Sequence, residues 1–265
     1  MGRFIDPSTG TQIWNLTIPT GGSRVAVVYR DTLASYHDGA SYDHVLTAAN
    51  GTQVAWGVAH VRVANLPASV LLMDAPRSVE AGEPFDVTAT VADVFGNRVY
   101  DYTGEVSATS NDPDWGAIGM FYTAGAGRAN VTVVLTTAGN WRLNLSSGGM
   151  WAKFSVSVAN APASVLRMNA PQQVEAGEPF DVWIAVRDKW GNAAADYTGN
   201  LTLASTDPYP GVVPGNMTIE RGGGGFATVT GFVLFSTPMQ AINAASDDGA
   251  LFAQAIVSVA DTSPP

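Results

Sequence analysis

The chain has 265 residues and a mass of 27.6 kDa, room for one large domain or two to three small ones. Its formal net charge of −10 argues against a nucleic-acid partner, since phosphate backbones call for a basic patch. It has no cysteine, which excludes thiol chemistry, and no apolar run reaches the roughly 18 residues of a membrane helix, so no membrane span is expected. With 28 glycines and 15 prolines and only 14% charged residues, the composition favours short strands and tight turns over helices.

Residues 1–66 open on strand-like sequence directly after Met1-Gly2-Arg3, with no visible signal peptide. All three histidines, His37, His44 and His60, lie here. His37-Asp38 and Asp43-His44, together with Asp31, read as a solvated turn rather than a catalytic centre. The segment closes on the strand-like Val61-Arg62-Val63-Ala64-Asn65.

Pro67-Ala68-Ser69-Val70 then begins a second unit. Its Ala81-Gly82-Glu83-Pro84 turn leads into a strand in which Phe85, Val87, Ala89 and Val91 alternate with polar residues. Asp93-Val94-Phe95-Gly96-Asn97 follows as a turn, with aspartate capping the backbone and glycine taking the left-handed conformation. Asp101-Tyr102-Thr103-Gly104, Asp112-Pro113 and the alternating pairs Val131/Val133 and Trp141/Leu143/Leu145 come next. Val156-Ser157-Val158-Ala159-Asn160 ends the unit.

From Pro162 the text repeats. Pro-Ala-Ser-Val returns at 162–165, VEAGEPFDV (79–87) at 174–182, Asp-x-x-Gly-Asn at 188–192, Asp-Tyr-Thr-Gly at 196–199 and Asp-Pro at 207–208, all 95 residues on. Phe180, Val182, Ile184 and Val186 keep the alternating phase. Val257-Ser258-Val259-Ala260-Asp261 supplies a third closing strand. Three module ends against two beginnings make residues 1–66 the back portion of a module lacking its front strands. The expectation is an excised piece of a longer protein, with Met1-Gly2 as an added leader. About seven alternating strands per 95 residues predict an all-β chain of tandem immunoglobulin-like antiparallel β-sandwich modules, bounded 1–66, 67–161 and 162–265.

The strings Val-Glu-Ala-Gly-Glu-Pro-Phe-Asp-Val, Asp-Val-Phe-Gly-Asn, Asp-Tyr-Thr-Gly and Ser-Asn-Asp-Pro resemble bacterial and archaeal Ig-like repeats of large cell-surface proteins, invasin-like and S-layer-associated repeats among them. The opening segment agrees through Asp6-Pro7-Ser8-Thr9-Gly10 and Val28-Tyr29-Arg30-Asp31-Thr32. The resemblance implies a sandwich fold and an extracellular, cell-surface location. It transfers no active site, because the shared residues serve turns and cores.

Three further features go beyond the fold. Six Asn-x-Ser/Thr sequons, at Asn15, Asn50, Asn130, Asn144, Asn200 and Asn216, exceed the roughly two expected by chance. Five fall on the polar phase of alternating segments and Asn50 in an Asn-Gly turn, which makes them candidate glycosylation sites on a glycoprotein; wet-face threonine producing sequons by composition is the alternative. Trp183 stands where the sibling unit has Thr88, so strand phase puts its indole outside the sandwich. Trp190, Tyr209 and Trp115, in loops, could join it as a contact patch for a module, a subunit or a glycan, or the indole could pack on a loop of its own domain. Asp93, Asp101, Asp112 and Asp114, with Asp188, Asp196 and Asp207 in the sibling, could offer oxygen ligands to calcium, the one cofactor the sequence leaves open.

Catalysis finds little support: the Gly-x-Ser-x-Gly elbow and His-Glu-x-x-His are absent. The reading is a non-enzymatic structural or spacer segment of a surface-layer lattice, adhesive stalk or filament. Its partners would be neighbouring modules of the same chain or like subunits, reached through sheet edges such as the one the first module leaves open. The alternative is a carbohydrate- or substrate-binding accessory region of a secreted hydrolase.

Overall fold

The computed structural model describes residues 2–37, 40–41, 43–49, 57–122, 126–209, 216–219 and 223–260; for residues 36–37, 40–41, 115–122 and 216 it describes the backbone alone. Every regular element among them is a β-strand. The opening segment holds three antiparallel pairs: β1 (Arg3–Ile5) with β2 (Val28–Arg30), β3 (Tyr36–His37) with β4 (Ala40–Ser41), and β5 (His44–Ala48) with β6 (Gly57–Val61).

The next eight strands are β7 (Val70–Asp74), β8 (Ser78–Glu80), β9 (Phe85–Ala92), β10 (Glu105–Asp112), β11 (Trp115–Tyr122), β12 (Arg128–Val133), β13 (Gly139–Ser147) and β14 (Met150–Ala159). They form a three-stranded sheet, β12-β9-β7, and a five-stranded sheet, β11-β10-β13-β14-β8. The last eight are β15 (Ala163–Asn169), β16 (Gln173–Glu175), β17 (Phe180–Asp188), β18 (Gly199–Ser205), β19 (Asn216–Ile219), β20 (Phe226–Phe232), β21 (Met239–Ser246) and β22 (Phe252–Ala260). Their sheets, β15-β17-β20 and β16-β22-β21-β18-β19, repeat the same order. Both units are immunoglobulin-like β-sandwiches. One strand pair in each departs from the antiparallel rule: β8 runs parallel to β14, and β16 parallel to β22. These strands are three residues long and sit at the sheet edge, so a short crossover from the facing sheet can deliver them in this direction.

Period-two burial explains both units. Phe85, Val87, Ala89 and Val91 of β9 point inward to meet Leu143 and Leu145 of β13. In the second sandwich Val182, Ile184 and Val186 gather with Leu201, Leu203, Phe232 and Ile242. Phe180 is only partly buried and packs on Phe232, ring centroids 5.5 Å apart. Each fully buried Val, Leu or Ile contributes about 1.5–3 kcal/mol over exposure, and the buried valines, leucines and isoleucines fall into two clusters, one per sandwich. The Asp-Tyr-Thr-Gly string is part of the same construction. Tyr102 and Tyr197 lay their rings over Gly104 and Gly199, where any Cβ would lie within 2.6 Å of the tyrosine hydroxyl. The Tyr102 hydroxyl also pairs with Ser147 Oγ at 2.6 Å.

Beyond Asp112/Asp207 the register lengthens. Gly82 N–H donates to Leu135 C=O and Gly177 N–H to Leu234 C=O, residues 99 apart rather than 95. In the opening segment the alternation expected around Asn15 does not form: residues 13–27 hold no strand, and Trp14 and Leu16 on either side are 85% and 47% exposed.

Candidate functional site

The residues that do most beyond folding their own unit are the Asp and Asn of the two Asp-x-x-Gly-Asn turns. Each turn follows a strand, β9 or β17, that runs to the end of its sandwich, and Gly96 and Gly191 complete it with φ of +85° and +91°. That brings the carboxylate inward. Asp93 is fully buried, and its four contacts come from N–H groups. Oδ1 accepts from Phe95 N and Asn97 N, both at 2.9 Å; Oδ2 accepts from Asn97 Nδ2 at 2.9 Å and from Leu66 N at 3.0 Å. Asp188 repeats the set with Trp190 N, Asn192 N, Asn192 Nδ2 and Ala161 N, at 2.7–2.9 Å. Burial alone would raise these carboxyls; the asparagine side chain and the backbone donors outweigh it and hold both below the usual range. Leu66 and Ala161 belong to the connections between units, so each aspartate anchors the entering chain.

The asparagines turn the other way. Asn97 Nδ2 donates to Thr32 C=O at 2.7 Å, and Ala34 N–H donates to Asn97 Oδ1 at 3.0 Å. Asn192 makes the same pair with Thr136 C=O and Ala138 N–H, both at 2.8 Å. Each amide therefore grips the first and third residues of a loop in the preceding unit, donating once and accepting once. The second joint adds Trp190, whose Nε1 donates to Ala81 C=O at 3.1 Å and whose indole lies over Gly82. A Cβ on Gly82 would fall 2.4 Å from the indole nitrogen, so only glycine admits it. Asn160 Nδ2 further bonds Ala161 C=O and Asp196. The arrangement links each sandwich to the unit before it through directional, buried or part-buried hydrogen bonds. Sequence reasoning explained the turn but missed the joint. The signal was available: a turn needs Asp and Gly, yet Asn also recurs at its end in both units.

The expected contact patch divides. Trp190 serves the second joint, and Tyr209, 70% exposed, caps its own turn through Asp207. Trp183 is 48% exposed on the outer face of the three-stranded sheet, as strand phase predicts. It lines a depression of about 450 Å³ with Arg167, Ala185, Arg187 and Phe226, where the Arg187 guanidinium lies 5.8 Å from the Phe226 ring centre. The Trp115 side chain lies outside the described residues. Another exposed indole, Trp151, 68% exposed with Lys153 5.1 Å from its ring, has no place in the patch expected from sequence. Its phase opposite Phe154, Val156 and Val158 would have marked it.

Among the sequons, Asn15, Asn130 and Asn200 are exposed and Asn144 half-buried on β13. Asn50 and the Asn216 side chain lie outside the described residues. Asn130 accepts from Thr88 Oγ1 at 2.9 Å, and Asn200 bonds Thr218 and Asp247. The acidic residues considered for calcium are dispersed in role: Asp93 and Asp188 are filled by N–H donors, Asp101 is exposed, and Asp196 faces Asn160. Asp112 and Asp114 share Thr137 Oγ1, while Asp207 holds Phe235 N, Ser236 N and Ser236 Oγ. Among the described residues no group of three or more such side chains is placed to hold a metal ion.

The expected solvated turn around Asp31 is instead a buried polar knot. Asp31 Oδ2 accepts from Tyr29 OH at 2.6 Å and stands 3.0 Å from His44 Nδ1, tying β2 to β5. Burial would raise the Asp31 carboxyl, but Tyr29, the Leu33 and Thr32 amides and His44 bring it down to about 2; burial and the adjoining carboxylate push Tyr29 up to about 12. His60 lies 3.9 Å from Asp43 on the surface; Asp38 and the His37 side chain are outside the described residues.

No family model matches the chain, and no curated protein matches it in sequence. Solved structures similar to it include the Escherichia coli adhesin FdeC, at 16% identity over 77% of this chain and 68% of that one, with a TM-score of 0.44. Invasin, a bacterial integrin-binding protein, aligns at 18% identity over 74% of this chain and 40% of its own, with a TM-score of 0.36. Salmonella alpha-2-macroglobulin aligns at 13% identity over 99% of this chain but 21% of its own, with a TM-score of 0.39.

Proposed function

We propose that this chain is a non-enzymatic structural segment of an extracellular cell-surface protein, of the kind that builds a surface layer, an adhesive stalk or a filament. Its Ig-like modules act as stacked spacers whose relative angle is set at the joints. One observation carries the reading: the same asparagine, 95 residues apart, bonds the same two backbone groups of the preceding unit at both joints. A flexible tether would need no such clamp. The motif resemblance to surface-protein repeats and the sequons on wet strand faces support the location, with Asn130 and Asn200 as glycan carriers. Small-angle scattering on the full chain tests the spacer role. Asn97→Ala with Asn192→Ala should broaden the distance distribution and raise flexibility relative to the parent; a parent already as flexible as the double variant overturns it.

A second reading rests on the Trp183 depression: an accessory region of a secreted hydrolase that holds polysaccharide against Trp183 and Phe226. Saturable binding to a glycan array that Trp183→Ala abolishes would favour it over the spacer.

A further inference from the structure

Both joints use one loop design on the receiving side. The first and third residues, Thr32 and Ala34 or Thr136 and Ala138, present a C=O and an N–H to the incoming asparagine. The same loop occurs a third time, at the far end of the last sandwich. Leu234 corresponds to Leu135, since each accepts the N–H of the Ala-Gly turn, Gly177 or Gly82. Phe235, Ser236 and Thr237 then correspond to Thr136, Thr137 and Ala138. Among the described residues neither Phe235 C=O nor Thr237 N–H has a hydrogen-bond partner. Exposure follows suit: at the first position Thr32 is half-buried and Thr136 buried, at the third Ala34 is buried and Ala138 half-buried, whereas Phe235 and Thr237 are both exposed.

The third loop is already held in a receiving form. Asp207 Oδ2 accepts Phe235 N at 2.6 Å and Ser236 N at 3.0 Å. In the first joint Asp31 Oδ1 accepts the amides at the equivalent places, Thr32 N and Leu33 N, while Asn97 occupies the outer side of that loop. A carboxylate inside and an asparagine outside are thus compatible. Nor does the ring of Phe235, which lies against Gly177 where Trp190 lies against Gly82, close the loop to a partner. The first joint forms with its own aromatic, Phe95, left 52% exposed.

We infer that the Phe235–Thr237 loop is a docking end for a further Ig-like module, which inserts the Asn of an Asp-x-x-Gly-Asn hairpin so that its Nδ2 donates to Phe235 C=O and its Oδ1 accepts from Thr237 N–H. A second copy of this chain in its native form is a poor occupant, because Asn97 and Asn192 are engaged internally. The inference rests on the spacer reading and extends it by naming the partner and its contact atoms.

The test is amide hydrogen exchange on the full chain and on a version in which a second copy of residues 160–260 follows Ala260. In the parent, Thr237 N–H should exchange at least tenfold faster than Ala138 N–H. In the extended chain Thr237 should slow about tenfold, and Asn192→Ala in the added copy should reverse this. Asn192→Asp there, which sets a carboxylate oxygen against both Asp188 Oδ2 and the Phe235 C=O, should reverse it as fully. Unchanged Thr237 exchange beside a folded added copy overturns the inference while Ala138 remains protected. Rapid exchange at Ala138 in the parent would instead overturn the spacer reading beneath it.

Discussion

The outer faces of the two three-stranded sheets occupy the same place in the same scaffold, yet they differ in kind. On the earlier sandwich, Thr88 sits opposite Asn130 and donates to it, Thr132 donates to Asp86, and the face is polar apart from the exposed Leu72, with a sequon at its centre. On the later one, Trp183 stands opposite Thr228, Phe226 opposite Ala185, and Arg187 reaches across Phe226. Inside, Val87, Ala89 and Val91 match Val182, Ile184 and Val186. The difference separates two demands on the chain: inward and joint positions are held by packing and desolvated hydrogen bonds, while outward positions answer only to solvent or a partner. Four perturbations test that separation.

The largest effect belongs to the carboxylates common to both units. Asp93→Ala and Asp188→Ala each strand four N–H donors in a dry site, and an unsatisfied buried donor costs about 1–3 kcal/mol. Each variant should lose about 3 kcal/mol or more from its own sandwich in thermal or urea melts. A large loss in one and a negligible loss in the other would break the equivalence.

Acid should reproduce part of this loss without mutation. The folded Asp93, Asp188 and Asp207 carboxyls lie below their unfolded value, so their contribution is complete above about pH 4 and fades as pH falls through the folded values. Asp31, brought down to about 2, should hold the opening segment's knot until the pH falls toward that value. Melts between pH 5 and pH 2 should show falling stability in both sandwiches, and Asp207→Asn should flatten the dependence in the later one. Stability that rises on acidification would contradict the hydrogen-bond inventory.

Most of the architecture was legible in the residues, because period-two alternation and turn glycines act locally and report burial directly. Phe85–Val91 and Val182–Val186 turned inward as their spacing predicts, and Trp183 turned outward. What escaped depends on distance in sequence. Asn97 bonds residues 63–65 positions away and Asn192 residues 54–56 away, so a turn-level account of the motif was sound but incomplete. Asp31, Tyr29 and His44 form a knot that no linear pattern distinguishes from a solvated loop. The parallel edge strands β8 and β16 escaped for the same reason, since three residues carry no direction of pairing.

The two joints also differ from one another. Both contain the asparagine pair, but only the second adds an indole hydrogen bond and an indole seated on glycine. Asn97→Ala should loosen the first joint by about 1–2 kcal/mol. Asn192→Ala, with Trp190 still in place, should release less of the second, and Asn192→Ala with Trp190→Ala should release more than Asn97→Ala. Differential exchange at Ala34 and Ala138 reads the two joints separately.

The effect least tied to the shared architecture is at Trp183. Replacing it with threonine, the residue its sibling carries, removes an indole that already keeps 48% of its surface in water. The apolar area returned to solvent is on the order of 100 Å², and tryptophan and threonine both suit a strand, so the loss should stay at or below about 2.5 kcal/mol. Partner contact is the sensitive readout. If the outward face answers to a ligand, Trp183→Thr abolishes glycan or surface binding while melts scarcely move. A loss above about 3 kcal/mol would mean that the indole belongs to the core's architecture, and the division between inward and outward positions would fail where it is most exposed to test.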